Sequence, residues 1–319
     1  MTGSPTLVTG ASGFAGRHLM ARLTVSSTGR PLLAWTRRPQ PDTASVQWRQ
    51  VEITDRNAVR NAVAEALPDR IVHLAGSPHV GDSWRSSLLP LQTNVLGTHY
   101  LLDAVRQHCP DCRVLVVTSA MIYQASDEPL DEDVPLEPSS PYGLSKLAQD
   151  QLAQRAARHD DLNVVVARPF NHIGPHQNPS FALSSFARQI ALIEAGVLAP
   201  EIQVGNLDAE RDFTDVRDVA DAYARLLDAG QPGRVYNICS DTPHRIADLL
   251  AQLMAMALVP VTLATDPTRL RPSDQPRMVG NSSRIRTELG WQPQWSIADT
   301  LAGLLQWWRD EVVAGRVTA

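Results

Sequence analysis

The sequence is short of three things, and each shortage argues against a class of protein. It has three cysteines in 319 residues, too few for a disulfide framework and suited to a reducing compartment. Two of them, Cys109 and Cys112, form a C-P-D-C. No second pair or finger-spaced histidines follow to complete a zinc site. The motif also runs into an apolar stretch instead of opening a helix, as a redox pair would, so the two read as plain thiols in a turn. No apolar run approaches the roughly 18 residues that a membrane span requires. The first strand-like run starts almost at once, at Thr6, which leaves no room for a secretory leader and sets the expectation of a cytoplasmic protein. Positive charge is not in excess either. A formal net charge of −5 argues against a nucleic acid or an anionic membrane as partner, while a few local arginines can still hold a small anionic ligand.

What is present has the balance of a globular chain, 43% hydrophobic and 20% charged, with no internal repeat and no low-complexity tract. In the first half, short β-branched apolar runs alternate with helical patterns. The strands are "TLVTG", "PLLAW", "VQWRQVE", "RIVHLAG", "RVLVVTS" and "LNVVVARP". The helices are expected over Gly13–Leu23, Asp55–Leu67 with Asp55 as cap, Leu91–His108 and Tyr142–His159. Right-handed crossovers between such strands make a doubly wound parallel Rossmann sheet, so the fold class is α/β. The second half is richer in Pro, Asn and Arg, which suits a smaller C-terminal lobe over a ligand. The expected division is a coenzyme domain over 1–170, with about 213–237 returning to it, and a substrate lobe mainly over 171–319. A last amphipathic helix, Ile297–Val313, carries Trp307 and Trp308 as packing residues.

"VTGASGFAG" sets Gly10, Gly13 and Gly16 after a strand and at the opening of a helix. Glycines there allow a tight turn and let backbone N–H groups and the helix N-terminus approach a pyrophosphate. An NAD site usually carries an acid about 20 residues further on. Here that place reads "AWTRRP". Arg37 and Arg38 suit a 2′-phosphate, so NADP(H) is the expected dinucleotide.

"SPYGLSK" puts Tyr142 and Lys146 on one helix face. A free phenol has a pKa of about 10, and a nearby ammonium is expected to lower it into a useful range. Ser119, at the end of a central strand in "LVVTSAMIYQ", offers a hydroxyl to the same cleft. His172 and His176 lack a third ligand at sensible spacing, so no metal is expected.

With these motifs the chain resembles the extended short-chain dehydrogenase/reductases that act on nucleotide sugars. The matching stretches are "TGASGFAG", "HLAG", "TNVLGT", "TSAMIY", "SPYGLSK" and "ARPFNHIGP", in family order over nearly the whole chain. The resemblance implies a catalytic set of Ser119, Tyr142 and Lys146, with Lys146 also on the nicotinamide ribose and Asn94 as structural support. It implies coenzyme contacts from Gly10, Ser12, Gly13, Phe14, Gly16, Arg37, Arg38, Glu52, Ile53, Leu74, Ala75 and Gly76. The stretches "FNHIGPHQNPSFALSSFARQI", "VGNLDAERDFTDVRDVADAY" and "RLRPSDQP" look most like the GDP-4-keto-6-deoxymannose reductases, which make GDP-rhamnose. That implies substrate contacts from Asn171, Arg211, Arg271 and Asp274, from Phe181 and Val204 around the base, and from Ser83 and Trp84 near the hexose. Arg217 reads as a solvated charge. A homodimer through the helices Leu91–His108 and Tyr142–His159 is implied as well.

Relatives that dehydrate the sugar place an acid or base just after the serine or threonine. Here those positions hold Ala120 and Met121, neither of which carries a proton. The expected chemistry is therefore hydride transfer without elimination: an NADPH-dependent 4-ketoreductase of a nucleotide-linked 4-keto-6-deoxyhexose, GDP-linked or dTDP-linked. The rivals are a 4-epimerase, which needs the same three side chains, and a non-catalytic sensor of NADP(H).

Overall fold

A computed structural model describes residues 3–26, 30–78, 80–269 and 275–317. The strands of the central sheet are β1 (Thr6–Thr9), β2 (Leu32–Thr36), β3 (Val46–Gln50), β4 (Arg70–His73), β5 (Arg113–Val117), β6 (Val164–Pro169) and, much later, β10 (Val235–Ile238). They run parallel in the order β10-β6-β5-β4-β1-β2-β3. The strand order reverses between β1 and β4, which opens a crevice at their carboxyl ends.

Alternation along the strands divides the core between the two faces of this sheet. Val8, Leu115 and Val165 face one cluster with Leu19, Tyr223 and Trp291. Their neighbours Leu7, Val114 and Val164 face another with Val63, Leu101 and Ala153. The helices of the first half are α1 (Phe14–Ser26), α2 (Arg56–Ala66), α3 (Val80–Arg85), α4 (Leu88–Pro90), α5 (Gly97–His108) and α6 (Pro141–His159); α1 packs into the first cluster, and α2, α5 and α6 into the second. Capping sets several boundaries. Asp55 accepts the amide hydrogens of Asn57 and Ala58, and Ser140 accepts that of Gly143 ahead of a proline at the first turn of α6.

The single helix expected over Leu91–His108 is not uniform. Residues Leu91–Leu96 form a π-helical turn that runs into α5. Its ladder closes from Gly97 N to Gln92 O. A Cβ on Gly97 would lie 3.0 Å from Ile53 Cγ1, so this turn packs directly onto the loop after β3. A helical repeat read from sequence cannot register the extra residue in the turn, because the apolar spacing on either side is nearly unchanged.

The remaining elements are β7 (Asn171–Ile173), α7 (Ala182–Glu194), β8 (Glu201–Val204), β9 (Glu210–Asp215), α8 (Val216–Ala229), β11 (Pro243–Arg245), α9 (Ile246–Ala255), β12 (Thr262–Thr265), β13 (Arg277–Met278), α10 (Ser283–Leu289) and α11 (Ile297–Val313). β9 is the hub of a small sheet with β7, β11 and β13, and β8 pairs β12. A third core, with Ile190, Ile202, Phe213, Leu249 and Leu304, lies between these strands and α7, α9 and α11. Trp308 is buried there and donates to Ser184 Oγ at 3.1 Å. No helix among the described residues is long and apolar enough to cross a membrane.

Candidate active site

The loops after β1 and β4 meet at the crevice. Gly10 has φ +67°, and a Cβ on it would stand 2.8 Å from Ala75 N, so both the turn and the close approach require glycine. A Cβ on Gly16 would stand 2.4 Å from Gly10 O, which is why the first turn of α1 can rest on the loop. Gly13 N donates back to Gly10 O at 2.9 Å. Ser12 Oγ lies 2.9 Å from Thr36 Oγ1, joining the glycine loop to the end of β2. Just past that end, Arg37 and Arg38 are exposed. Neither guanidinium has a hydrogen-bond or ion-pair partner among the described residues. Glu52, exposed after β3, folds back onto Thr54 N and Oγ1. Ile53 is buried. Leu74, Ala75 and Gly76 follow β4, half-buried, and the Cβ position of Gly76 lies 3.7 Å from Lys146 Nζ. Phe14 stacks face to face on His172, with centroids 5.6 Å apart. This cradle of close-packed glycines, a helix N-terminus and two uncommitted arginines fits a phosphorylated dinucleotide.

Ser119 leaves β5 through Thr118 and caps a short 3₁₀ turn, Ala120–Ile122, accepting Met121 N at 3.1 Å. Tyr142 and Lys146 stand on the first turns of α6, both buried. The Lys146 ammonium donates to Val117 O at 3.2 Å and to Gln149 Oε1 at 2.8 Å. Burial pushes the Tyr142 phenol up to about 12, against the hydrogen bond from Ser119, which pulls it down. Burial also lowers Lys146 to about 7, opposed by the charge of Asp150. The expectation that the ammonium acidifies the phenol is thus corrected. In the protein alone, desolvation outweighs the Ser119 hydrogen bond at the phenol and the Asp150 charge at the amine, because both groups sit away from water and each is driven toward its neutral form.

Asn94 is buried in the π-helical turn. Its Nδ2 donates to Ser145 Oγ at 2.9 Å and its Oδ1 accepts Ser77 N at 2.9 Å, which ties the β4 loop to α6. Ser83, on α3, is buried and accepts the Tyr142 amide hydrogen at 3.2 Å, so its hydroxyl supports the tyrosine backbone. Trp84 beside it is 46% exposed.

On the small sheet, Asn171 pairs with Phe213, two residues from Arg211. Strand pleating therefore puts Asn171 and Arg211 on one face. Arg211 Nη1 donates to Glu210 O at 2.8 Å. Phe181 is half-buried at the start of α7. Val204 is 3% exposed inside the third core, so its side chain belongs to that core, and its carbonyl accepts Asp266 N at 2.9 Å. Arg271 and Asp274 lie outside the described residues. Arg217, read as solvated, is instead held by Asp215 at 2.8 and 2.6 Å and lies 3.2 Å over the Trp295 ring. Sequence reasoning missed Gln149 on α6, Thr98 on α5 and His73 on β4, a buried hydrogen-bonded set behind Lys146. The spacing of Gln149 three residues after Lys146 on the same helix was the available signal.

A family model described as GDP-mannose 4,6 dehydratase matches residues 7–304. The chain belongs to the GDP-mannose 4,6-dehydratase family. The GDP-6-deoxy-D-mannose reductase of Pseudomonas aeruginosa is 37% identical over 311 residues, covering 96% of this chain and 97% of that protein. A dTDP-glucose 4,6-dehydratase of Streptomyces antibioticus is 31% identical over 316 residues, covering 95% and 92%. The solved structure of RMD from Pseudomonas aeruginosa complexed with NADPH superposes with a TM-score of 0.85 at 35% identity, covering 97% of this chain and 100% of that one. The doubly wound fold expected from the strand pattern is the fold of these relatives. The family takes its name from a dehydration, whereas this member carries Ala120 and Met121 after Ser119.

Proposed function

We propose that the protein is an NADPH-dependent 4-ketoreductase of a GDP-linked 4-keto-6-deoxyhexose. One observation carries the reading: Ser119, Tyr142 and Lys146 share the crevice beside the glycine loop, and the two residues after Ser119 cannot move a proton. The site can therefore protonate a ketone oxygen but has no acid–base pair there for eliminating water.

Each role rests on the chemistry of the group concerned. Tyr142, neutral at physiological pH, holds its proton at Oη and gives it to the carbonyl oxygen as charge develops there. Ser119 orients that oxygen. Lys146 stabilises the phenolate left behind. Gly10, Gly13, Gly16 and the N-terminus of α1 hold the coenzyme phosphates, with Ser12, Phe14, Glu52, Ile53, Leu74, Ala75 and Gly76 around the rest. Arg37 and Arg38 pair the 2′-phosphate. When bound, NADPH supplies the hydride. Asn171 and Arg211 take the sugar-nucleotide diphosphate, together with Arg271 and Asp274. Phe181 and the Val204 backbone meet the base, and Ser83 and Trp84 border the hexose.

Residues 1–170 with about 213–237 act as the coenzyme unit, and 171–319 mainly as the sugar-nucleotide unit. The protein works in the cytoplasm as a homodimer. Exposed Leu88, Leu89, Leu91, Leu96 and Leu144 on the α4–α6 side support that assembly.

The test is stoichiometric. With GDP-4-keto-6-deoxymannose, one NADPH is expected to disappear per sugar reduced. A 4-epimerase would interconvert two sugars with no net change in nicotinamide absorbance. Failure to oxidise NADPH with both the GDP- and the dTDP-linked ketosugar would overturn the reading.

A further inference from the structure

Lys146 is the sole lysine of the chain; every other member of its 29 Lys+Arg residues is an arginine. A guanidinium keeps its proton under all protein conditions, whereas an amine can be tuned. The chain thus keeps a side-chain amine at one place only, and what surrounds that amine decides its charge.

Behind Lys146 runs a chain of buried hydrogen bonds whose direction can be worked out. Thr98 Oγ1 lies 2.7 Å from the carbonyl of Asn94. That oxygen only accepts, so the single hydroxyl proton of Thr98 is committed to it. Thr98 Oγ1 must then accept from its two other neighbours, Gln149 Nε2 at 2.8 Å and His73 Nε2 at 2.9 Å. His73 is fully buried, and burial together with the charge of Lys146 lowers it to about 3, so its ring is neutral and carries one proton. That proton sits on Nε2. Nδ1 therefore accepts from Thr9 Oγ1 at 2.8 Å, and Thr9 Oγ1 accepts from Ala75 N at 3.1 Å. The consequence falls on Gln149. With its amide nitrogen held by Thr98, its oxygen is forced to face Lys146. A flipped amide would set two donors against each other.

We infer that Gln149 is a positioning residue for Lys146. Held by Thr98 and His73, it presents an oxygen that stabilises the ammonium and aims its remaining N–H at the crevice. Besides Gln149, Lys146 has only Val117 O as acceptor among the described residues. The titratable and charged groups around it are Tyr142 and Asp150 on its own helix, His73 on β4, Arg168 on β6 paired to Asp150, and Tyr223 on α8 facing Tyr142. Only Asp150 carries opposite charge, and Arg168 already holds it at 2.9 and 3.0 Å. Gln149 is therefore the one uncharged side chain that accepts from the ammonium, beside the Val117 carbonyl, among the described residues.

The single lysine makes a direct test possible. In tag-free protein grown on ¹³C-lysine, the ε-carbon gives one signal, and its titration reports Lys146 alone. Gln149→Met, close in shape but apolar, is expected to lower the titration midpoint by about one pH unit. Gln149→Glu is expected to raise it by about one unit or more. Thr98→Val frees the amide to flip and is expected to act as Gln149→Met does. Opposite shifts in the Met and Glu variants cannot come from a purely structural role. Unmoved midpoints, or shifts of the same sign, would overturn the assignment. If one variant does not fold, the direction of shift in the other decides.

A kinetic arm rests on the reductase reading. The alkaline limb of the kcat/KM profile should move down in Gln149→Met and up in Gln149→Glu. Shifted titrations without ketosugar turnover in any form would fault the reductase reading and leave the role of Gln149 standing.

Discussion

A lysine kept among uncharged groups costs the fold stability for as long as it stays protonated. Lys146 is lowered from 10.5 to about 7 by burial. The folded state thus holds fewer protons than the unfolded one between those values. The cost is complete below about pH 7 and is relieved as pH rises toward 10.5. Lys146→Met should therefore gain more thermal stability over the native protein at pH 6 than at pH 9. The two units past the folded-state pKa correspond to on the order of 2–3 kcal/mol. The charge-dependent part of the hydrogen bonds to Gln149 and Val117 is already contained in the folded-state pKa, and the remainder cancels in the comparison, which melting curves can read. Tyr142→Phe is expected to nearly abolish ketosugar reduction while NADPH still quenches tryptophan fluorescence, because in the proposed mechanism the phenol gives the proton and the glycine loop holds the coenzyme. Arg37→Ala with Arg38→Ala should reduce the preference for NADPH over NADH roughly ten- to a hundredfold, as expected for charge-assisted bonds of about 1.5–3 kcal/mol. Dissociation constants for both coenzymes would measure it.

Helix α6 carries Tyr142, Lys146, Gln149 and Asp150, so its placement fixes the site. Two devices secure it: the Ser140 cap with Pro141 at the first turn, and the buried bidentate pair between Asp150 and Arg168 of β6. Asp150→Ala leaves a guanidinium buried without its partner and should cost about 3–5 kcal/mol. Ser140→Ala should cost about 1 kcal/mol. Urea midpoints at unchanged slope would separate the two. This helix was legible to within a residue of its start, because its cap, its proline and the Tyr142/Lys146 spacing are local. The π-helical turn was not legible, nor was the use of Ser83 as a backbone support for Tyr142. Each depends on groups dozens of residues away. Three strands of the small sheet were missed for a related reason: β7 and β11 have three residues each and β13 two, too few to show alternation.

At the scale of the whole molecule, β10 returns to the central sheet beside β6, and the Asp212 carboxylate joins β9 to the loops after β10 and β13. It accepts the amide hydrogens of Ser240, Asp241 and Gly280 and the Ser240 hydroxyl. The small sheet is thereby fastened to the exit of the central sheet. Assembly is the other property that belongs at this scale. Leu96→Glu with Leu144→Glu sets charge into the exposed apolar face of the helices and is expected to turn the proposed dimer into a monomer by sedimentation, with NADPH binding retained.

The sequence alone determined the parallel sheet, the glycine loop, the arginines after the second strand, and the meeting of Ser119, Tyr142 and Lys146. All of these are written in short-range patterns: apolar runs, a turn that only glycine can make, and two side chains one helical turn apart. Tertiary structure alone decided the charge balance at the centre, where burial raises the phenol and lowers the amine. It also decided the chain of hydrogen bonds from Ala75 through His73 and Thr98 to Gln149. Desolvation depends on everything packed around a group, and the direction of a hydrogen bond depends on which neighbours have protons left to give. Neither is a property of any single stretch of chain.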